Sequence, residues 1–420
     1  MSLSLILICR FRAEETPLDQ TRIWMLATCF LVILLDGLDT ASVALIAPVV
    51  SKLWGVAPAA FTPAFVATNA GAVVGYLICG PVSNRLGHRR TGILSVILFG
   101  TGTLLGALAY DVLSLSIIRF VAAIGLGGAL PIAVATATAI VAPGFRAGAT
   151  VLVATGLSAG SVVGGLITGP LVAKFGWPSI FIVGGLLPLL LLPLFARALS
   201  AAERAQAGPS AEPVAPNPIA ALFADGRGVS TGLLWLFAFL IFLVTYGLSS
   251  WIPTLLVDFG FSPTQAPLGL AALGVGGIVG NLLMMLIVGR LGTRPALIMT
   301  SVGAIACILI ISYATIPSSL LLVLIGAVGA GLITGCVGQS ALAVSFYPGT
   351  LRTTGVGWAA AFGRLGSIAG PAVGGALLAL HWSARDVILT AIPPIAAAIA
   401  VLLAMSLVRR SPALVEAVEH

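Results

Sequence analysis

Charged side chains are scarce in this chain of 420 residues, since Asp, Glu, Lys and Arg together make up only 8%. A water-soluble domain carries about 25% charged residues, so the chain lacks the polar surface that would keep it in solution. Hydrophobic residues account for 59%, and the 50 glycines suit helices that pack closely in a bilayer. The composition excludes a soluble enzyme and indicates a membrane protein with many spans.

Residues that bind metals or form disulfides are also few. The three histidines, His88, His381 and His420, are far apart in the sequence, and none of the five cysteines stands in a CxxC pair. A zinc site needs three or four such ligands at characteristic spacing. We therefore expect no metal site and no disulfide, and the sequence offers no nucleophile–base set that would indicate an enzyme.

The net charge of +7 by itself could suggest nucleic acid as a partner. The positions of the 20 Lys and Arg argue against it: 15 fall in alternate connecting segments and the two ends, three on the opposite side, and two (Arg119 and Arg364) inside apolar runs. An excess of basic residues marks the cytoplasmic side of a membrane protein. The sequence therefore predicts cytoplasmic N- and C-termini, contact with the lipid bilayer, and no nucleic acid partner.

Apolar runs separated by short polar breaks predict twelve membrane-spanning helices. They lie near 23–50, 60–83, 91–110, 113–141, 147–173, 177–197, 231–257, 265–288, 295–315, 318–346, 353–379 and 385–408. The expected fold is all-α, with a cytoplasmic N-terminal segment (1–22), a first six-helix half (23–197), a cytoplasmic linker (198–230), a second six-helix half (231–408) and a cytoplasmic tail (409–420).

The two halves share a repeat with an offset of 205 residues. Arg85-Leu86-Gly87-His88-Arg89 recurs as Arg290-Leu291-Gly292-Thr293-Arg294, and Trp177 and Pro188 recur as Trp382 and Pro393. Because each half has six spans, both copies have the same orientation and are related by an axis along the membrane normal. Transporters built in this way hold their substrate between the halves, near the middle of the membrane.

Two carboxylates, Asp36 and Asp39, interrupt the apolar run of the first span. A charge near the bilayer centre costs about 2.5–3.5 kcal/mol on insertion scales, and residues three apart share one face of a helix. We predict that both face the bundle interior or a watery cavity and that one carries a proton. Arg119 in the fourth span is their expected partner, either in a structural salt bridge or in a pair that breaks when the proton arrives.

Arg364 lies about a dozen residues into the eleventh predicted span, close to the middle of the membrane. An organic carboxylate needs a positive and preferably bidentate partner, which arginine supplies. We favour carboxylate binding by this residue over a structural ion pair.

Several other residues within spans could complete a binding site. Tyr246, Trp251, Trp358 and Phe362 could hold an aromatic ring, although any single aromatic is more often core or interfacial. Asn69, Gln339 and Asn281 could donate hydrogen bonds to a ring hydroxyl or only to another helix. Of these three, Gln339 is the favoured candidate.

The segment that joins the second and third spans resembles the signature loop of the major facilitator superfamily, G-x-x-x-D-R-x-G-R-R/K. It reads Gly80-Pro81-Val82-Ser83-Asn84-Arg85-Leu86-Gly87-His88-Arg89-Arg90, so the usual acid is Asn84 here, and it is Gly289 in the second copy. The resemblance implies gating loops formed by Gly80, Asn84, Arg85, Gly87 and Arg89 in the first half and by Arg290 and Arg294 in the second. The alternative is a loop that only anchors the cytoplasmic side through its charge.

Other stretches resemble a narrower family, the aromatic acid:proton symporters that transport benzoate, 4-hydroxybenzoate or hydroxyphenylpropionate. They are Asp36-Gly37-Leu38-Asp39, Trp251-Ile252-Pro253 and Gly363-Arg364-Leu365-Gly366, and the resemblance covers nearly the whole chain. It implies the fold of the superfamily, with two six-helix halves, and it implies that Arg364 corresponds to the arginine of the family's eleventh span.

These observations lead to one expected function and two alternatives. We expect a monomeric transporter in the inner membrane of a bacterium that imports a small aromatic carboxylate with protons, uses the proton gradient and needs no cofactor. In this hypothesis Asp36 or Asp39 takes a proton and releases Arg119 while the anion binds Arg364. The alternatives are a proton-driven exporter of drugs or metabolites and a transporter-like receptor that binds without translocating.

Overall fold

The computed structural model describes residues 20–142, 145–205, 218–224, 226–347 and 349–407. The predicted N-terminal segment (apart from its last three residues), the central part of the predicted linker and the predicted C-terminal tail lie outside these residues. The described chain is all-helical, without a strand, as the sequence predicted. Ten of its helical stretches are long and apolar enough to cross a membrane.

The first half consists of six long helices. They are α1 (Gln20–Trp54), α2 (Thr62–Leu86), α3 (His88–Gly106), α4 (Val112–Ile140), α5 (Arg146–Phe175) and α6 (Pro178–Ala205). A short 3-10 helix, Pro58–Phe61, precedes α2. The start of α4 is fixed by Asp111, whose carboxylate accepts a hydrogen bond from the Ser114 amide at 2.7 Å.

The second half repeats this pattern. It consists of α7 (Gly228–Asp258), α8 (Leu268–Leu291), α9 (Thr293–Tyr313), α10 (Ser318–Phe346), α11 (Gly349–Ala379), α12 (Ala384–Leu389) and α13 (Ile392–Leu407), and a single helical turn, Pro218–Ala221, precedes α7. The twelfth predicted span is therefore two helices. Pro393 and Pro394 explain the break, because proline lacks the amide hydrogen that would continue the hydrogen bonding of α12.

The helix contacts confirm that the halves are built alike. In the first half α1 packs against α5 and α6, α2 against α4, and α3 against α4 and α6. In the second half α7 packs against α11 and α13, α8 against α10, and α9 against α10 and α13. The pattern is the same after a shift of six spans. The halves meet where α2 contacts α11 and where α5 contacts α8, two interfaces that the pseudo-two-fold axis exchanges.

Backbone conformation follows the same repeat. Gly87 and Gly292, which end α2 and α8, both have positive φ angles, 87° and 83°. Gly176 has φ 78°, and the residue 205 positions later, His381, has φ 59°. Only glycine adopts this left-handed region without steric cost, so His381 holds a strained conformation that glycine holds in the first half.

The two halves are in close contact at one end of the molecule. There the backbone of Gly165 and Gly169 in α5 lies against the start of α8, and Gly375 in α11 lies against Thr62 at the start of α2. We call this the sealed end. The other end, where the α2–α3 and α8–α9 loops lie, we call the linker end. At the linker end, four glycines of α2, α5, α8 and α11 have no atom of another described residue within 4 Å of an added Cβ, namely Gly80, Gly148, Gly289 and Gly357.

Candidate functional site

A small cavity lies between the two halves and is lined from both sides. Helices of the first half contribute eight of its residues, and α7 and α11 of the second half contribute Tyr246 and Arg364. The first-half residues are Asp36, Thr40, Thr68, Asn69, Ala72, Tyr76, Leu126 and Leu157. Its volume is about 30 Å³, roughly a tenth or less of the 300–1,000 Å³ of pockets that hold small ligands. The cavity in this conformation is therefore narrow.

Arg364 is the cation of this cavity, and it connects the two halves. Its Nη1 donates to the hydroxyl of Tyr246 at 3.0 Å, and its Nη2 donates to the hydroxyl of Tyr76 in the first half at 2.8 Å. The guanidinium carbon also lies 4.5 Å from the centre of the Tyr76 ring, a cation–π contact. Among the described residues no carboxylate forms a salt bridge with Arg364. Its two forked nitrogens therefore hold neutral phenols where a carboxylate could bind in a bidentate manner.

Asp36 faces the same cavity and has few partners. Its side chain is 4% exposed, and its carboxylate accepts one hydrogen bond, from the hydroxyl of Thr40 at 3.2 Å. No cation pairs with it in the described part of the chain. A buried carboxylate with a single neutral donor is poorly compensated as an anion.

Asp39 has a very different environment, although it lies only one helical turn away. It is fully buried and forms a salt bridge with Arg119 of α4, with Nη1–Oδ1 at 2.8 Å and Nη2–Oδ2 at 3.1 Å. The hydroxyl of Thr103 donates to the same carboxylate at 2.7 Å. Arg119 Nη2 also donates to the Asp39 carbonyl at 3.1 Å. This pair lies inside the first half, and its hydrogen bonds are satisfied.

The glycine between the two aspartates explains how α1 is held. Gly37 lies directly against the backbone of Leu157 in α5, and Gly160 of α5 lies against Leu34 and Leu38 of α1. A side chain at Gly37 or Gly160 would collide with backbone atoms, which cannot move aside. The close contact of α1 and α5 thus sets the rotation of α1, with Asp36 facing the cavity and Asp39 facing Arg119.

The structure brings together some of the predicted binding residues but not others. Arg364, Tyr246 and Asn69 line the cavity, and the amide nitrogen of Asn69 donates to the Phe65 carbonyl at 2.9 Å. Gln339 does not line it: its side chain is 2% exposed and donates to the Ser340 hydroxyl at 2.9 Å. Its amide oxygen accepts no hydrogen bond from any residue that the structure describes.

The predicted aromatic sandwich is not formed in this conformation. Trp358 and Phe362 stack on Trp235, at ring-centre distances of 5.8 and 4.1 Å, outside the cavity. Each residue of an α-helix is rotated by about 100°, so both point roughly away from Arg364 on the same helix. Trp251 lies near the sealed end, edge-on to Phe65 at 4.9 Å, and its indole nitrogen donates to the Pro371 carbonyl at 3.0 Å.

Sequence reasoning missed six cavity residues, of which three are polar: Thr40, Thr68 and Tyr76. Tyr76 is the most important, because its hydroxyl and ring connect the first half to Arg364. A signal was present, since Asn69, Ala72 and Tyr76 follow the spacing of one helix face. Thr68 also lies within 3.4 Å of Arg119 Nε and so connects the buried ion pair to the cavity wall.

The predicted gating loops lie at the linker end. Arg85, Asn84, Gly80 and Arg290 are exposed, and the Arg89 amide donates to the carboxylate of Glu203 in α6 at 3.0 Å. Arg294 Nη1 donates to the Met405 carbonyl of α13 at 3.2 Å. The loops are thus each attached to a peripheral helix of their own half.

The model of the Major Facilitator Superfamily matches residues 29–344. The chain is 35% identical to a 3-(3-hydroxy-phenyl)propionate transporter of Escherichia coli, over 95% of this chain and 98% of that protein. It is 32% identical to a gallate transporter of Pseudomonas putida over 93% of both chains, and 31% identical to a 4-hydroxybenzoate transporter of the same species over 92% of both.

Solved structures show the same fold at low sequence identity. The nucleoside transporter NupG superimposes with a TM-score of 0.73 at 13% identity, covering 92% of this chain and all of that one. A bacterial homologue of the human lysosomal transporter Spinster, in an inward-facing and occupied conformation, gives 0.70 at 17% identity, covering 94% and 99%.

Proposed function

The chain belongs to the major facilitator superfamily, and from this premise we propose that it imports a small aromatic carboxylate together with a proton. The observation that carries the proposal is Arg364, a cation in the cavity between the halves whose forked nitrogens, among the described residues, donate to two tyrosine hydroxyls and to no carboxylate. The names of three relatives, transporters of a hydroxyphenylpropionate, gallate and 4-hydroxybenzoate, support an aromatic acid as substrate.

Substrate binding begins with the carboxylate on Arg364. The anion exchanges with the hydroxyls of Tyr76 and Tyr246, or accepts hydrogen bonds from them, and the tyrosine rings flank the substrate ring. Pockets for small ligands have volumes of about 300–1,000 Å³, so the cavity of about 30 Å³ must widen first. Tyr76 belongs to the first half and Arg364 to the second, so widening loosens a contact between the halves.

Asp36 is the proton site of the proposal, because it shares the cavity with Arg364 and has no cation bound. Without substrate, an ionised Asp36 balances the charge of Arg364. With the substrate anion present, protonation of Asp36 keeps the cavity neutral. One anion moved with one proton is electroneutral and so does not work against the membrane potential, which would otherwise act at about 2.3 kcal/mol per charge per 100 mV.

The Asp39–Arg119 pair has a supporting role in this proposal. Breaking a buried ion pair leaves an uncompensated charge and costs about 3–5 kcal/mol. We therefore assign proton binding to Asp36 and assign the pair the task of holding α1 against α4. This narrows the expectation from sequence, which left Asp36 and Asp39 equivalent.

Orientation follows from the charge of the loops. The basic residues of the linker end support a cytoplasmic position for that end, by the positive-inside rule. The sealed end then faces outward, and the conformation described here is the inward-facing one. A bacterial inner membrane, a monomer and the proton gradient as energy source complete the proposal.

The test is uptake of radiolabelled 4-hydroxybenzoate, gallate and a hydroxyphenylpropionate into proteoliposomes under an inward proton gradient, with a non-aromatic carboxylate as the comparison. We expect accumulation of an aromatic acid that a protonophore abolishes and that Arg364→Gln eliminates. Asp111→Asn, an exposed change at the start of α4, is the matched control. Gradient-independent transport, or accumulation that survives Arg364→Gln, would refute the proposal.

A further inference from the structure

A second cavity, of about 120 Å³, lies between α2, α3 and α4 of the first half, away from the central site. We call it the outer groove and define it by Ile78, Val82, Leu94, Leu98 and Gly128. Ile78 and Leu94 are 43% and 49% exposed. Apolar side chains that are exposed on membrane-spanning helices face the lipid, so the outer groove opens toward the acyl chains.

The lining of the outer groove is mostly apolar, although Thr91 and Ser95 also line it. Gly125 and Gly128 of α4 are buried against α3, because a side chain at either position would meet Ser95. A cavity with so few polar side chains offers water few hydrogen-bond partners. Hydrocarbon is therefore the natural occupant of the outer groove.

One end of the groove meets a cluster of arginines at the linker end. Val82 on the groove wall precedes Arg85 by one helical turn, and Thr91 on the opposite wall follows Arg90 directly. Arg85, Arg89 and Arg90 are exposed. Within the described chain their guanidinium groups form no ion pair or hydrogen bond.

One carboxylate lies beside this cluster and balances only part of its charge. Asn84 is uncharged, and the Glu203 carboxylate accepts a hydrogen bond from the Arg89 amide at the start of α3, which leaves three arginines against one acid. Clustered arginines beside a membrane attract anionic headgroups, at about 1 kcal/mol per residue. A headgroup site and an acyl-chain groove thus lie end to end, in the order in which a phospholipid presents these parts.

We propose that the outer groove and Arg85, Arg89 and Arg90 together bind one anionic phospholipid. A segment of an acyl chain occupies the groove, and the phosphate contacts the arginines. The lipid site and the central cavity share no lining residue, so this inference does not depend on which substrate the protein carries. It also gives the α2–α3 loop a ligand of its own.

The experiment counts lipids that stay bound to the full-length protein. Protein reconstituted in vesicles of equal parts phosphatidylglycerol and phosphatidylcholine is extracted in mild detergent, and the retained lipids are measured by native mass spectrometry. We expect the wild type to retain phosphatidylglycerol in preference. Arg85→Gln with Arg90→Gln should reduce that preference by about five-fold for each arginine removed.

Two further variants separate the parts of the site. Arg146→Gln with Arg197→Gln removes two exposed arginines away from the groove and should leave the preference unchanged. Val82→Trp fills the groove and should abolish the retention of phosphatidylglycerol and of phosphatidylcholine at this site. If the Val82→Trp protein does not fold, Leu98→Phe is used in its place. Equal retention in wild type and the Arg85/Arg90 variant would overturn the proposal. So would an equal loss in the Arg146/Arg197 control, or full retention in the groove-filled protein.

Discussion

Asp36→Asn and Asp39→Asn are the same chemical change one helical turn apart, but they should differ in their effect on the stability of the fold. Asparagine at position 36 mimics a protonated carboxyl and can still accept the Thr40 hydrogen bond. We expect folding to be nearly unaffected. Asparagine at position 39 leaves the buried Arg119 charge without its partner, which costs about 3–5 kcal/mol. We expect a clear fall in thermal stability and in the yield of folded protein.

The functional readout is the pH dependence of substrate binding. If Asp36 must be protonated when the anion binds, the dissociation constant of the wild type should rise about ten-fold per pH unit once Asp36 is ionised, since one proton per unit corresponds to 1.36 kcal/mol. Asp36→Asn should bind substrate with no such pH dependence. It should also exchange substrate across the membrane without accumulating it.

Isothermal titration between about pH 5.5 and pH 8.5, with counterflow in proteoliposomes, measures both properties. The double variant Asp39→Asn/Arg119→Gln is the control, because removing both charges of a buried pair is often nearly neutral. We expect it to regain stability and proton-driven uptake. A stable double variant that cannot accumulate substrate would refute the supporting role of the pair, and an unchanged pH slope in Asp36→Asn would refute the role of Asp36.

Three further changes test other contacts. Arg364→Lys keeps the positive charge but loses the two forked nitrogens of the guanidinium. A hydrogen bond to a charged group contributes about 1.5–3 kcal/mol, so substrate affinity in the same titration should fall at least ten-fold. An unchanged affinity would argue against bidentate binding. Tyr76→Phe keeps the ring over Arg364 but removes the hydrogen bond from Arg364 to the Tyr76 hydroxyl. The population of the outward-facing state should rise about ten-fold, as measured by spin-label distances between α2 and α11 at the linker end. An unchanged distance distribution would show that this bond does not hold the halves together. His381→Gly should raise the unfolding temperature, because glycine adopts the positive φ angle without the steric cost of about 1 kcal/mol that histidine has there. Gly176→Ala should lower the unfolding temperature for the same reason. A lower unfolding temperature for His381→Gly or a higher one for Gly176→Ala would contradict this argument.

The sequence alone determined the spans, the two related halves and the positions of the unusual charges. Long apolar runs can only become membrane helices, because a bilayer offers no other partner for backbone hydrogen bonds. The offset of 205 residues predicted the repeat of helix contacts and of the loops that end in Gly87 and Gly292. The sequence did not predict the break between α12 and α13, because hydropathy alone does not reveal a helix end at two prolines within an apolar run.

Only the tertiary structure decided which carboxylate faces the central cavity and which pairs with Arg119. Asp36 and Asp39 share a helix face in sequence terms, and the close contact of Gly37 and Gly160 rotates α1 so that one meets the cavity and the other Arg119. Tyr76 and Arg364 are 288 residues apart, and no local period connects them. Trp358 and Phe362 lie near Arg364 in the sequence but on another side of α11. A helix pattern fixes which residues share a face, whereas the neighbour of that face depends on how distant helices pack.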